Sequence, residues 1–357
     1  MREISRNDLL LLWLLTCIVF VSVIVRFDSY SHKVNDFGDS SAYMSAASGI
    51  RKADFRSIRV KQFWGVSYAM APVSFLCGGS ILASLLLVSG VSSLISVLLA
   101  QKLWGGWIAG FFAVLNFEWL QRSYLGGAEP LFMALLFASF LAMRRHRVVA
   151  ASAFAALATV TRPVGMFALV ALALALLARR EYKNLALCTG VALVIGALYV
   201  LPFWIYFGDP LYQVHSYKVN DWQSGLPIGV PFRAIGASFA HNQAPFTNLL
   251  LTLGWVLFVL VGALLMARKS YRQYIRERPA EAWFAFFYVA FIFTYNSSAW
   301  ARADIVRFAI PALPFVLLSL IDFIPRSRTV LFAVAAVCAA LAACSAIGIR
   351  NVFHILH

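Results

Sequence analysis

Asp36 and Asp39 stand three residues apart in Asn35-Asp-Phe-Gly-Asp-Ser-Ser-Ala-Tyr43, just after the first hydrophobic run. Behind them comes a basic run: Arg51, Lys52, Arg56, Arg59 and Lys61. Only 13% of the chain is charged, so a cluster of this kind stands out. Carboxylates facing a cationic patch at a membrane surface point to chemistry on an anionic lipid carrier. In that chemistry Asp39 is a general base, taking the proton of an acceptor hydroxyl or amine beside a substrate phosphate. Such a group has to be external and partly desolvated. The small residues, with Tyr43, Met44, Ala46 and Ala47, predict a helix with one apolar face, which makes Asp39 or Ser40 equally an N-cap. Arg56, Arg59 and Lys61 read as phosphate contacts. Ile50, Phe55, Ile58, Phe63 and Trp64 interleave with them, so the segment also reads as an amphipathic stretch against anionic headgroups.

Further groups follow along the chain. Glu129, in Tyr124-Leu-Gly-Gly-Ala-Glu-Pro-Leu-Phe132, precedes the proline that opens the next helix. An acid there complements a helix N-terminus, and it equally suits a metal ligand or a partner that orients the acceptor opposite Asp39. The sequence requires no cofactor; a divalent metal is an option where Asp39 and Glu129 converge. Arg162, in Thr161-Arg162-Pro163, turns two short apolar runs at or below the outer surface, where an arginine needs an anionic partner or a wet cavity. Arg302 and Arg307 introduce Arg307-Phe-Ala-Ile-Pro-Ala-Leu-Pro314, whose prolines predict a kink. They read as neutralising a leaving phosphate, or as snorkelling to headgroups. A later segment opens with Tyr206-Phe-Gly-Asp-Pro-Leu211 and carries His215, Tyr217, Lys218, Asp221, Trp222 and His241. Aromatic and polar groups together suit a sugar, with His215 and Trp222 the substrate-binding candidates, while Gly-Asp-Pro makes Asp209 equally a turn residue. The external histidines, His32 included, match no metal spacing.

A membrane has to position these residues. The chain has 357 residues and is 62% hydrophobic, whereas soluble domains run roughly 45–50% apolar. Apolar runs long enough to cross ~30 Å of hydrocarbon recur from end to end, and they are continuous rather than alternating as in a β-barrel. The expected fold is an all-α polytopic membrane protein. Helices are expected at 9–25, 64–78, 80–102, 105–118, 130–143, 148–161, 164–178, 185–206, 247–267, 283–296, 307–322 and 329–348, giving ten to twelve spans. All of 1–357 reads as one membrane domain, with long external loops at 26–63 and 207–246 that hold amphipathic helices. Basic clusters at Arg144 to Arg147, Arg179 to Lys183, Arg268 to Arg278, and Arg326 with Arg328 flank spans at alternate ends. The positive-inside rule makes those ends cytoplasmic. The formal charge of +15 is therefore largely topology, and no nucleic-acid partner is expected. Three runs between the external 26–63 loop and an external 119–129 turn break parity. Either 64–78 or 105–118, each about 14 residues and ~21 Å long, is thus re-entrant or interfacial. The first run reads as a retained anchor, and the five cysteines as free thiols.

In order and topology these pieces resemble the GT-C superfamily of polyprenyl-phosphate-sugar-dependent glycosyltransferases. That superfamily includes the protein O-mannosyltransferases, the aminoarabinose transferase acting on lipid A, bacterial lipopolysaccharide sugar transferases and the mannosyltransferases of GPI assembly. The points of contact are Asp39-Ser-Ser-Ala-Tyr43, Glu129-Pro-Leu-Phe, Thr161-Arg162-Pro163, Tyr206-Phe-Gly-Asp-Pro-Leu and Arg307-Phe-x-x-Pro-x-x-Pro. They thread the chain from about 30 to 320, each weak alone. The resemblance implies an active site on the periplasmic or lumenal face, a polyprenyl-phosphate-linked sugar donor, a lipid or glycan acceptor, and inversion at the anomeric carbon. Asp39, with Asp36 beside it, takes the first-loop catalytic role and Glu129 the second. Tyr43, Arg302, Arg307 and the first-loop cations become substrate contacts. Two departures stand out: the family's adjacent pair of acids is split here into Asp36 and Asp39, and the proline-rich entry to the second span is reduced to Pro72. Compact size and the lack of sorting signals favour a bacterial inner membrane with a periplasmic site.

Two other classes compete. A transporter or flippase of lipid-linked sugars would use the same cations and aromatics without a base, but it should show internal pseudo-symmetry and charges near the midplane. A structural subunit of an envelope complex would use the loops as docking surface.

Overall fold

The computed structural model describes residues 3–58, 60, 62–221, 228–233, 246–265, 269–295 and 305–348. Among these residues the chain is helical throughout, with a single isolated β-bridge between Ile228 and Tyr295. The first helix, α1 (Arg6–Phe27), opens on a capping box: the Asp8 N–H donates to the Ser5 hydroxyl at 3.2 Å, and the Ser5 N–H donates to the Asp8 carboxylate at 2.8 Å. The first loop folds into α2 (Tyr30–Asp36) and α3 (Ser40–Arg51), and α4 (Gly65–Leu76) and α5 (Ile81–Trp104) follow. Then come α6 (Gly106–Val114), α7 (Phe117–Tyr124), α8 (Glu129–Arg144), α9 (Val148–Thr161), α10 (Met166–Ala178) and α11 (Tyr182–Phe207). The C-terminal part holds α12 (Tyr212–Asp221), α13 (Phe246–Leu265), α14 (Lys269–Glu277), α15 (Pro279–Thr294), α16 (Ile305–Ala309), α17 (Leu313–Ser319) and α18 (Arg328–Ile347).

Among the described residues four helices, α1, α5, α11 and α18, are long and apolar enough to cross a membrane, or five if the pair α7 and α8, bent by 104°, is counted as one span. Other apolar helices, among them α4, α9 and α15, are shorter, at 10–17 residues. The all-α polytopic membrane fold is as expected, but the ten to twelve spans counted most of the shorter apolar runs as crossings even with 64–78 or 105–118 set aside. Apolarity sets where a run can sit, and a run buried among other helices need not be long enough to span.

The expected helix 105–118 is broken. Asn116 is extended (φ −101, ψ 115), and its Oδ1 accepts the Trp119 N–H at 2.9 Å, which ends α6 and starts α7. At only nine residues α6 rises about 14 Å and is buried along its length, a short element inside the bundle. In the expected helix 307–322 the kink predicted from the prolines is a full break, at Ile310 to Ala312, where Pro311 supplies no N–H. The turn at Thr161-Arg162-Pro163 forms as expected: Arg162 is extended (φ −145, ψ 131) and Pro163 opens a 3₁₀ turn into α10.

Small residues let these helices approach. Along α5, Ser84, Ser89, Ser92, Ser93 and Ser96 are buried. The Ser96 hydroxyl donates to the Pro130 carbonyl at 3.2 Å, bringing α5 against the start of α8. The core between them is aromatic, with Phe112, Trp119, Phe132, Phe137 and Phe315 all at 2% exposure or less. By contrast α11 leaves Leu193, Val194, Leu198, Trp204 and Ile205 exposed, an apolar surface suited to hydrocarbon rather than water. All five cysteines are free.

Candidate active site

Four segments distant in sequence meet around Glu129, whose side chain is 1% exposed. They meet because of three local devices. Gly126 adopts φ +98, and a Cβ there would lie 2.7 Å from Leu85; a Cβ at Gly127 would lie 2.7 Å from Arg122 Cδ and 2.8 Å from Glu129 Oε2. Only glycines let the α7–α8 corner, bent by 104°, fold Arg122 back beside Glu129. Asn116 caps α7 and also donates through Nδ2 to the Val306 carbonyl at 2.8 Å, so one side chain ties the helix of Arg122 to the helix of Arg307. Gly65 lies so close to Val160 and Thr161 that a Cβ would meet backbone at 2.6 Å, which sets the end of the first loop against the Arg162 turn.

Glu129 Oε1 accepts hydrogen bonds from Arg162 Nη1 and from Arg307 Nε. Arg307 Nη2 reaches on to Asp39 Oδ2 at 3.0 Å. The other Asp39 oxygen accepts from Gln62 Nε2 at 3.0 Å. Arg122 donates from Nε to Glu118 at 3.2 Å, lies 4.0 Å from Glu129 Oε2, and covers the Phe37 ring at 4.5 Å. Two polar atoms here, Glu129 Oε2 and Arg122 Nη1, are buried without a hydrogen-bond partner among the described residues. Three guanidinium groups and three carboxylates thus form one network. Burial pushes the Asp39 carboxyl up; Arg307, then Arg122, then the Gln62 amide pull it down, and the net result lies below the ordinary value. Asp39 occupies the N-cap position of α3, yet its side chain makes no capping bond. It turns to Gln62 and Arg307 instead.

A hydrogen-bonded chain extends outward from Gln62. The Gln62 carbonyl accepts from Gln213 Nε2 at 2.8 Å, Gln213 Oε1 accepts from the Tyr199 hydroxyl, and that hydroxyl accepts from the Trp64 N–H at 3.1 Å. Around it, Trp64, Phe203, Phe55, Phe207 and Tyr212 pack together, with Trp64 and Phe203 centroids 4.5 Å apart and Phe207 and Tyr212 4.2 Å apart. The apolar side chains of the first loop are therefore covered by the ends of α11 and α12, not laid out for headgroups.

Of the residues singled out from sequence, Asp39, Glu129, Arg162 and Arg307 are brought together. Tyr43 is buried at 5% exposure one turn along α3, its carbonyl accepting from Ser67 Oγ at 2.9 Å. Asp36 is not in the network; it pairs with His32 at 3.3 Å on the exposed surface because α2 ends there and Gly38 (φ +49) turns the chain between the two acids. Arg56 is exposed on a 3₁₀ turn, and His215 pairs with Asp209 at 2.7 Å, also at the surface. Asp209 accepts the Leu211 N–H at 2.9 Å, as a turn residue does. Arg59, Lys61, Trp222, His241 and Arg302 lie outside the described residues, as do the side chains of Tyr217, Lys218 and Asp221. Sequence reasoning missed Arg122, Glu118 and Gln62. The first two were findable as an i, i+4 acid–base pair inside an otherwise apolar stretch; nothing marks Gln62.

The bundle, with its apolar spans around carboxylates and arginines from separate loops, is that of an integral membrane protein, and its family makes it a glycosyltransferase of the GT-C type. The sequence profile of Glycosyltransferase family 87 matches residues 65–298, more than half of the chain, and the chain belongs to that family. The fold is similar to that of ArnT from Cupriavidus metallidurans bound to undecaprenyl phosphate, with a TM-score of 0.54 and 16% identity over 92% of this chain and 76% of that one. It is also similar to the Archaeoglobus fulgidus oligosaccharyltransferase in complex with Zn and sulfate, with a TM-score of 0.51 and 14% identity over 93% of this chain and 53% of that one. This chain thus spans about half of the latter. Among curated proteins no sequence matches.

Proposed function

We propose that the protein transfers a sugar from a polyprenyl-phosphate donor to a lipid or glycan acceptor, with inversion, on the periplasmic face of a bacterial inner membrane. The observation that carries this reading is Arg307 bridging Glu129 and Asp39: a cation shared between a buried acid and a partly exposed one is poised to change partner when an anion arrives. A similar fold, ArnT, binds undecaprenyl phosphate. Asp39 takes the acceptor proton as the acceptor oxygen or nitrogen bonds to the anomeric carbon. The bond from that carbon to the phosphate oxygen breaks, and its electron pair leaves on the polyprenyl phosphate, which gains one negative charge. Arg307, Arg162 and Arg122 face that charge, and the unpartnered Arg122 Nη1 is a donor already desolvated for it. Glu129 holds the arginines in place.

In this reading a phosphate that takes Arg307 from Asp39 removes the cation that does most to lower the Asp39 pKa, so donor binding makes Asp39 a stronger base. No metal enters it. Glu129 Oε1 is held by two arginines, and a divalent ion beside it would face three cations. The test is sugar transfer from a polyprenyl-phosphate donor by Asp39→Asn protein. Loss of turnover by about 10²–10⁴-fold, with donor still bound and the fold intact, is the expected result; unchanged turnover refutes it.

A further inference from the structure

Two helices link the carboxylate network to a second charged site at the opposite end of the bundle. α8 begins at Glu129 and ends at Arg144, about 22 Å further along its axis. α10 follows the Arg162 turn and ends just before Arg179. At that far end lies a cavity of about 250 Å³, bordered by Arg144, His146, Arg179, Arg278, Glu277 and Glu281. Its floor is apolar, from Phe140, Met143 and Ala175.

Both acids are already engaged. Arg144 holds Glu281 with two parallel bonds, Nε to Oε1 at 2.6 Å and Nη2 to Oε2 at 2.7 Å, and turns Nη1 to the Leu103 carbonyl at 2.6 Å. Trp104 Nε1, at 3.2 Å, and the Tyr274 hydroxyl donate to the same carboxylate. Glu281 is 2% exposed, so this pair is a rigid wall. Glu277 is exposed and accepts from Gln273 Nε2 at 3.0 Å. The remaining basic side chains, Arg179, Arg278 and His146, make no ion pair among the described residues. Burial, then the charge of Arg144, lowers the Arg278 pKa; Glu277 raises it, Arg179 lowers it again, and the net result lies below the ordinary value, so the neighbouring cations outweigh the one carboxylate that acts on it.

Topology alone asks for less. The positive-inside bias requires basic residues on one side, in no particular arrangement. Here three separate connections, after α8, after α10 and before α15, bring basic side chains to one cavity. His146 reaches it from a left-handed backbone (φ +55) at the end of α8, where the Arg147 N–H closes on the Ala142 carbonyl at 2.9 Å and glycine is the usual occupant. The opening residues of α15, Pro279 and Ala280, also border the cavity and add the positive end of a helix.

We propose that this cavity binds the phosphate of an anionic phospholipid between Arg179 and Arg278, with the glycerol and upper acyl carbons against the apolar floor. Native mass spectrometry of the full chain, extracted from vesicles of equal parts phosphatidylcholine and phosphatidylglycerol, reads the retained lipid. Wild type is expected to keep phosphatidylglycerol selectively. The R179Q/R278Q variant is expected to bind it about thirtyfold more weakly, at about fivefold per cation. Should the double variant fail to fold, R179Q, at an exposed residue, carries the same test at about fivefold. Equal retention of both lipids by wild type, or unchanged phosphatidylglycerol retention in a folded variant, overturns the proposal. Inorganic pyrophosphate separates the sources of phosphate. If it raises the Tm of the detergent-solubilised protein while phosphatidylglycerol does not, the ligand is a soluble phosphate and the lipid assignment falls.

Discussion

Arg307 Nη2 lies 3.0 Å from Asp39 Oδ2, joining positions 268 residues apart, while its Nε is held by Glu129. One guanidinium thus couples an acid that is 27% exposed to one that is 1% exposed. The exposed partner is the one a substrate can displace, and the buried partner is the one that keeps the arginine in place.

Glu129→Ala should destabilise the protein by about 3–5 kcal/mol, because it leaves a buried cation cluster without its central anion. Arg162 has no other ion-pair partner among the described residues, whereas Arg307 keeps Asp39 and Arg122 keeps Glu118. Glu129→Ala with Arg162→Met should therefore recover part of the loss. Thermal unfolding of the detergent-solubilised variants measures both; equal Tm values for wild type and Glu129→Ala would refute the structural role.

Arg122→Gln should slow the transfer itself, because Arg122 faces the charge that builds on the leaving phosphate. The lost charge-assisted contact is worth about 1.5–3 kcal/mol, so kcat/KM for the polyprenyl-phosphate donor should fall about ten- to hundredfold. A steady-state titration of donor shows this directly, and an unaltered kcat/KM would remove Arg122 from the phosphate site.

The lowered Asp39 pKa has a defined sign. Its pairing with Arg307 stabilises the fold at pH values above the unfolded-state pKa, ~3.9, and that contribution disappears as pH falls through the lower folded value. With Asp39 as the base, the acid limb of kcat/KM, which reports the free enzyme, should lie below that of an ordinary aspartate. The acid limb of kcat should lie higher, since bound donor draws Arg307 away. Arg307→Gln should raise the kcat/KM limb. A pH–rate series on both proteins tests this, and coincident limbs would sink the partner exchange.

Gln213→Ala should lower kcat about three- to tenfold with little change in donor KM, since one hydrogen bond of about 1 kcal/mol holds the Gln62 backbone that presents its amide to Asp39. Gln213→Glu keeps an acceptor for Tyr199 but loses the donor to Gln62, so it should behave like the alanine variant. Kinetics of the two variants side by side make the comparison. A rise in KM with kcat untouched would place Gln213 in substrate binding instead.

Much of this was legible in the residues themselves. Length, apolarity and the basic clusters determined a polytopic helical membrane protein, because hydrocarbon admits no unpaired backbone, and runs that are continuous rather than alternating satisfy it as helices and not as a barrel. The same scarcity of charge made Asp39, Glu129, Arg162 and Arg307 visible, since a charged group amid apolar runs has to be near a partner or water. Which partner each would choose was not legible. Asp36 and Asp39 look alike in sequence, yet one ends on the surface and the other in the network, because the turn at Gly38 and the end of α2 separate them. The kink at Pro311 was legible too, whereas the reach of Gln213 to Gln62, of Asn116 to Val306 and of Arg307 to Asp39 belongs to the tertiary structure alone. Each of these three is a contact between segments far apart along the chain. Composition limits how many buried charges a membrane protein can hold, and only packing decides which of them meet.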